Sequence, residues 1–452
     1  MGKLSFKDFS EILQSNGAEN IGLLTVDLRS RIHLLTLPVA AVTEATLEEG
    51  IGFDASSFGF ASTESSDMVM RPDLKAWFVD PFREKKTVNF LSTIHYIDKE
   101  RTRYEGDPRF IAEKAEASLK TRKIADTSFW GPEYEFFIFD NAEFECRPEH
   151  TFFSLESGEE SIYKSYHTAL PEDKYCWFRD DVVSILDELK VPVKYHHHEV
   201  GQWGQQEIET RFEPLLKTCD NSVLIKYVIK NVAKSNDLAV TFMPKPIKIQ
   251  AGSGWHYHQY LVKGGKNAFY QAGKYANLNE TALFYIGGIL SHLNSLVGIT
   301  NPSTNSYKRL IPNFEAPTGI NFGIGNRNSA IRIPGYVARE DETRVEFRTP
   351  DATCNPYLAL SATLMAGIDG IVEKVDPVAK GYGPADPKKK YKEIEGNLQQ
   401  ALANLKKDKG FLLRDGVFSE VLVDKYIADR NKDCVEVSLY PTPAEYLYYF
   451  DI

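Results

Sequence analysis

The residue types able to do chemistry are concentrated in four short segments. In GPEYEFFIFD, Glu133 and Glu135 stand two residues apart in an aromatic run, so a strand there places both carboxylates on one face. Phe136, Phe137, Ile138 and Phe139 imply burial on at least one side, and buried carboxylates need a cation or a hydrogen-bond network to stay ionised. In YHHHEVGQWGQQEIETRF, Glu199 follows three histidines and Glu207 comes eight residues later, beyond a glycine-bearing turn that could fold both acids toward one point. GSGWHYHQY alternates so that His256 and His258 share one face and Trp255 and Tyr257 the other. In TRVEFRTPD, Arg344, Glu346 and Arg348 share a strand face, which predicts one acid flanked by two cations.

Five carboxylates and one histidine on such strands suit two divalent cations of the magnesium or manganese kind, because oxygen-rich sites select hard ions. Zinc fits less well, since these segments hold no cysteine and no HEXXH pattern. Between Lys308 and Arg348 the chain carries Arg309, Arg327, Arg332, Arg339, Arg344 and Arg348, a density that points to an anionic substrate held by guanidinium forks. There is no Walker A loop, and GIGNRN has two of the three glycines of a dinucleotide fingerprint; a nucleotide here must be held by side chains and metals. Taken singly, Glu133 and Glu135 also fit a solvated sheet face, and the arginines a set of surface salt bridges.

Elements must position these groups. Ser5 caps an amphipathic helix with Phe6, Phe9, Ile12 and Leu13 on one stripe, ended by Asn16 and Gly17. Strands are expected at 21–28, 33–37, 76–79 and 88–97, a short helix near 43–49, and a connecting loop in FDASSFGFASTESSDM. Asp107 and Pro108 start a helix to about Leu119, and the domain boundary is placed just before it, giving units 1–105 and 106–452. Further helices are expected at about 172–190, 215–235, 281–299, 356–375 and 393–406, separated by short strands. The net charge of −10 excludes a basic nucleic-acid binder, and no apolar run is long enough to span a membrane. Five scattered cysteines without a CxxC pair read as reduced thiols, and with no signal-peptide core the expected location is cytoplasmic. Lys388, Lys389 and Lys390 read as a solvated loop.

Together these segments resemble glutamine synthetase of the bacterial type I class. FDASS, ESSDMVMRPD, GPEYEFFIFD, HHHEVGQWGQQE, FMPKP, GSGWHYH, NPSTNSYKRLIPNFEAP, NRNSAIRIP, RVEFRTPD and NPYLAL follow one another in family order over nearly the whole chain. The resemblance implies an α+β fold, with a small N-terminal β-grasp domain and a large catalytic domain built on a curved antiparallel sheet flanked by helices. It implies a homo-dodecamer of two stacked hexamers with active sites between subunits. Two or three Mg2+ or Mn2+ per site are implied, one held by Glu135, Glu199 and Glu207 and another by Glu133, His256 and Glu346. Arg309, Arg348 and Gly252 would bind the amino acid, and His258, Arg327, Arg332 and Arg344 the nucleotide. Asp54 would bind ammonium from the adjacent subunit, Glu315 would close the site, and Arg327 would act on the transferring phosphoryl group. The implied reaction joins glutamate and ammonium at the expense of ATP.

The chain departs from the family pattern at four positions. Ala251 replaces an asparagine used on the amino-acid substrate, Tyr260 a serine near the nucleotide, Gln206 the asparagine of GQNE, and Ala55 the glycine of DGSS. Loss of a side-chain amide costs roughly 1–3 kcal/mol if nothing replaces it. Ala251 and Tyr260 therefore raise a second expectation, a paralogue joining glutamate to an organic amine; a non-catalytic ring protein is a third. The stretch GYGPADPKKKYKEIEG lacks the surroundings of an adenylylated tyrosine, so that modification is not expected at Tyr382 or Tyr391.

Overall fold

The computed structural model of the chain describes residues 5–159, 165–311, 316–337 and 339–452. Ser5 opens the helix Phe6–Ser15 with a capping box: its Oγ accepts from the Asp8 amide (3.3 Å) and the Asp8 carboxylate accepts from the Ser5 amide (2.6 Å). Gly17, at φ +58°, lies just beyond the end of that helix. Five strands follow: β1 (Asn20–Val26), β2 (Ile32–Pro38), β3 (Ile51–Asp54), β4 (Asp67–Val79) and β5 (Thr87–His95). They form one sheet in the order β2-β1-β5-β4-β3, with β1 and β5 parallel. Two expectations need correction. The stretch expected to be all loop begins in β3 and ends in β4, because Phe53 pairs with Met68 and Asp54 with Asp67, and β4 starts nine residues before the expected Ala76.

Asp107 caps the helix Pro108–Thr121 by accepting from the Arg109 amide (3.0 Å). The Arg109 side chain, buried, joins the two parts of the chain: Nη1 lies 2.8 Å from Asp73 on β4, and Nε and Nη2 each donate to Asp220 at 3.1 Å.

The large sheet is built from β6 (Thr127–Phe139), β9 (Val193–His198), β10 (Gln205–Thr210), β11 (Glu213–Pro214), β12 (Ala239–Thr241), β13 (Tyr257–Lys263), β14 (Lys266–Asn267), β15 (Gly319–Ile324), β16 (Ser329–Ile333) and β17 (Val345–Phe347). Its main path runs β15-β16-β17-β13-β6-β10-β9, antiparallel except for β15 with β16. A separate hairpin pairs β7 (Asn141–Arg147) with β8 (His150–Glu156). β6 explains the layering. Trp130, Tyr134, Phe136 and Ile138 enter the main core with the helix Leu215–Ser235, which packs in turn on Pro356–Val372, while Glu133 and Glu135 point the other way.

The helix expected over 281–299 is instead two helices, Glu280–Ser291 and Leu293–Thr300, meeting at 74°. The residue between them, His292, is held at the corner by Asp369 (3.0 Å) and Asp408 (2.8 Å). Helices expected at 172–190 and 393–406 are shorter, Cys176–Glu188 and Leu398–Lys407. Among the described residues no single helix is long and apolar enough to cross a membrane. The five cysteines are free.

Candidate active site

β6 forms the centre of the site. Antiparallel pairing sets Glu207 of β10 opposite Glu135 and Glu209 opposite Glu133, and His197 of β9 opposite Glu207. The turn after β9 brings Glu199 back: its amide donates to Gln205 O (2.9 Å), and Gly204 sits at φ +92°, where a Cβ would lie 2.3 Å from Ile138 O. His197, Glu199 and Glu207 thus offer ligand atoms within 4.8 Å of one another. Glu209, on the same face, pairs through Oε1 with Lys194 (2.7 Å).

On the other flank of β6, His258 of β13 pairs with Gly131 of β6 and Glu346 of β17. His256 Nδ1 and His258 Nε2 each lie 3.0 Å from a Glu133 oxygen. Glu133, His258 and Glu346 make the second group of ligand atoms within 4.8 Å. Glu135 accepts from the Gly254 amide (2.7 Å) and stands 3.5 Å from His256 Nδ1, so His256 lies between Glu133 and Glu135.

Glu346 does sit between two cations, but one differs from expectation. The fully buried carboxylate accepts from Arg332, its cross-strand partner on β16, and from Arg348. Arg344 donates instead to Glu342 O (2.8 Å) and Tyr336 Oη (3.2 Å), with its guanidinium over the Phe212 ring at 5.8 Å. Register supplies the other cation: Arg332 stands directly opposite Glu346 across the β16–β17 pair, while the Arg344 guanidinium is engaged by Glu342 O and Tyr336.

A cavity of about 790 Å3 opens over these groups, and its wall includes Ala251, Gly252, Arg309, Arg327, Arg332 and Arg348. Arg309 is a buried clamp: Nη1 donates to Thr349 O (2.8 Å) and Pro350 O (3.3 Å), Nη2 to Arg348 O (3.0 Å) and toward His256 Nε2 (3.0 Å). Gly252 backs onto it, since a Cβ there would meet Arg309 Cγ at 2.6 Å. The Arg327 guanidinium lies 5.7 Å over the Tyr166 ring. Arg339 pairs with Asp341 and Glu342 on the surface, away from the cavity.

Charge is unevenly distributed over the floor. Burial, then Glu133, Glu199 and Glu135, push the Glu207 carboxyl well above its ordinary range, and burial raises Glu199 and Glu135 as well. Burial would raise Glu133 too, but hydrogen bonds from His256 and His258 hold it well below. Against burial, Arg348 and then His258 keep Glu346 low. Crowded carboxylates with one imidazole in each group fit a hard divalent cation, whose charge offsets their repulsion.

Asp54 ends β3, exposed and away from this cavity wall, accepting from the Ser56 amide (2.9 Å) and Ser57 Oγ (3.1 Å). Glu315 lies outside the described residues. Tyr260 stacks on Phe129 (5.5 Å between centroids, 11°) with Phe212 edge-on, and Gln206 accepts from Arg179. Among the wall residues that sequence reasoning missed are Tyr166, His167 and His197, whose rings pack on one another. His197 had a signal, since it stands in the histidine triplet two residues before Glu199; Tyr166 had none.

Two family profiles match the chain: that of the glutamine synthetase β-grasp domain over residues 18–97, and that of the glutamine synthetase catalytic domain over residues 105–449. The chain belongs to the glutamine synthetase family. It is 41% identical to the glutamine synthetase of Neisseria gonorrhoeae, across 99% of this chain and 100% of that one. It is also 38% identical, over 99% of both chains, to a protein of Cupriavidus pinatubonensis named 3-hydroxylaminophenol mutase. The Plasmodium falciparum glutamine synthetase structure superposes with a TM-score of 0.90 at 25% identity, covering 99% of this chain and 100% of that one. This glutamine synthetase homologue is therefore an enzyme-family member with the β-grasp unit and the curved-sheet catalytic domain of its relatives, and the family uses ATP and divalent metals.

Proposed function

We propose that the protein joins ammonia to the γ-carboxylate of glutamate at the expense of ATP, through a γ-glutamyl phosphate, giving glutamine, ADP and phosphate. The observation that carries this reading is a single cavity in which two carboxylate–histidine groups face Arg327, Arg332 and Arg348. In the reaction a γ-carboxylate oxygen attacks the terminal phosphorus of ATP and ADP leaves; ammonia then adds to the acyl carbon and phosphate leaves.

Two or three magnesium or manganese ions would be held by Glu135, Glu199 and Glu207 and by Glu133, His256 and Glu346, with His197 and His258 in reach of the same groups. Bound there, they offset charge on the transferring phosphoryl group. The chain's own groups do the rest. Arg327, Arg332 and Arg344, with His258, would face the nucleotide, where fixed donors stabilise charge at no cost in reorganisation. Arg348 and Gly252 would meet the amino acid, and Arg309, whose Nη groups already serve backbone carbonyls, contributes a fixed positive charge. Asp54 of a neighbouring copy would bind ammonium and take its proton. Glu315 would close the site against water, which otherwise hydrolyses an acyl phosphate. Exposed Phe144 and Phe153 on the β7–β8 hairpin, with exposed Leu447 and Phe450 near the C-terminus, support self-association, read here as a homo-dodecamer.

The test is phosphate release from ATP with glutamate and ammonium under magnesium or manganese; no release sinks the proposal. Ala251 in the cavity wall favours a second reading, an organic amine as acceptor, which the same assay with ethanolamine and polyamines separates. Retention of Asp54 favours ammonium.

A further inference from the structure

The segment that presents Glu199 is held by a histidine–glutamate pair sealed from water. His198 and Glu159 have side-chain exposures of 0% and 1%. His198 Nε2 lies 3.0 and 3.1 Å from the two Glu159 oxygens, and Nδ1 lies 2.6 Å from the carbonyl oxygen of Glu199. A carbonyl can only accept, so Nδ1 donates to Glu199 O, while Nε2 and the Glu159 carboxyl share the remaining hydrogen bond. One of its two hydrogen bonds therefore ends on the backbone of a residue that lines the cavity.

Further bonds complete the frame. The Glu199 amide donates to Gln205 O (2.9 Å), Ser165 Oγ donates to Val200 O (2.6 Å), and the His167 amide donates to His198 O (3.0 Å). The backbone on either side of Glu199 is thus tied to β10 and to the segment that brings Tyr166 and His167 to the cavity wall. β9 ends at His198, so without these ties Glu199 would leave the sheet on a turn whose Val200 and Trp203 are exposed. A buried pair of this kind adds little net stability compared with well-packed neutral residues of similar volume, which leaves positioning as its contribution here.

We propose that Glu159, His198 and Ser165 are positioning residues for Glu199, fixing where its carboxylate meets Glu207 and a divalent cation. The proposal rests on the reading of Glu199 as a metal ligand. It is tested by calorimetric titration of the full-length protein with Mn2+, beside its melting temperature. Glu199→Ala is expected to lose binding at one site. The double variant Glu159→Gln/His198→Gln, which removes both titratable partners together, is expected to melt close to the parent yet bind manganese about 10- to 100-fold more weakly, the range seen when groups behind metal ligands are removed. Ser165→Ala, which alters no charge, is expected to weaken the same site in the same direction, and it decides the matter if the double variant does not fold. Parent affinity in the folded variants, with Glu199→Ala still losing its site, overturns the positioning role while the ligand reading stands. Parent affinity in Glu199→Ala overturns both.

Discussion

Replacing Glu346 with glutamine keeps the side chain's volume and removes one charge from the most tightly paired position in the cavity. The carboxylate is 0% exposed, and its partners Arg332 and Arg348 are 18% and 10% exposed. With a neutral amide between them, two guanidiniums face each other without an anion, and breaking a buried pair in this way costs about 3–5 kcal/mol. The partial exposure of Arg332 places the effect near the lower end. For a catalytic unit of about 350 residues, the unfolding entropy corresponds to roughly 0.7 kcal/mol per degree, so the melting temperature should fall by about 4 °C. Activity should fall further than stability suggests. Glu346 is also one of the groups read as holding a cation, and losing about 3 kcal/mol of transition-state stabilisation is a drop of about 100-fold in kcat/KM. The assay is phosphate release at saturating manganese, run beside thermal melting and manganese calorimetry on the same preparation. Activity within about threefold of the parent with unchanged manganese affinity would refute the assignment; a large activity loss with no change in melting would refute the electrostatic argument about the two arginines.

Other outcomes follow from single sites. Arg109→Met strands Asp220, whose remaining partner is the Tyr357 hydroxyl (2.8 Å), and should destabilise the protein by about 3–5 kcal/mol in urea titrations; Arg109→Met/Asp220→Leu should recover most of that, and a parent-like single variant rejects the argument. Burial pulls the His292 imidazolium down, but Asp369 and Asp408 more than offset it and raise it to about 9. A raised histidine stabilises the fold below its unfolded value of about 6.5 and loses that contribution as pH rises through about 9, so the melting gap between parent and His292→Asn, up to about 3 kcal/mol, should close in alkali; a constant gap contradicts it. Ala251→Asn restores an amide to the cavity wall and should lower the KM for glutamate by about tenfold, with the KM for ATP unchanged, corresponding to one hydrogen bond of about 1 kcal/mol or slightly more; a raised KM indicates a different acid.

Short-range signals were read well from residues alone. Ser5 and Asp107 cap helices because a cap is decided within three residues, and the helix Leu215–Ser235 occupies its expected span. What escaped reading was non-local. β3 and the first half of β4 look like loop in isolation and become strand only because Asp54 finds Asp67 across the sheet. The corner at His292 was equally invisible, since the acids that hold it, Asp369 in one helix and Asp408 just past the end of another, lie 77 and 116 residues further along.

The same division runs through the site. Alternation along one strand was enough to join Glu133 with Glu135 and His256 with His258, but it does not say which histidine meets which acid, nor that Arg332 rather than Arg344 completes the pair around Glu346. Those facts belong to register, and register is set by the opposite face. Slipping β10 by one residue against β6 would put Gln206 or Ile208 opposite Glu135 and turn Glu207 away from the cavity. Such a slip is blocked because Ile208 of β10 is fully buried in the main core with Tyr134, Phe136 and Ile138 of β6, and turning it outward forfeits about 1.5–3 kcal/mol. The spacing of the acidic groups is therefore maintained by aromatic and aliphatic residues that never touch them, which is why the acids could be named from sequence while their geometry could not.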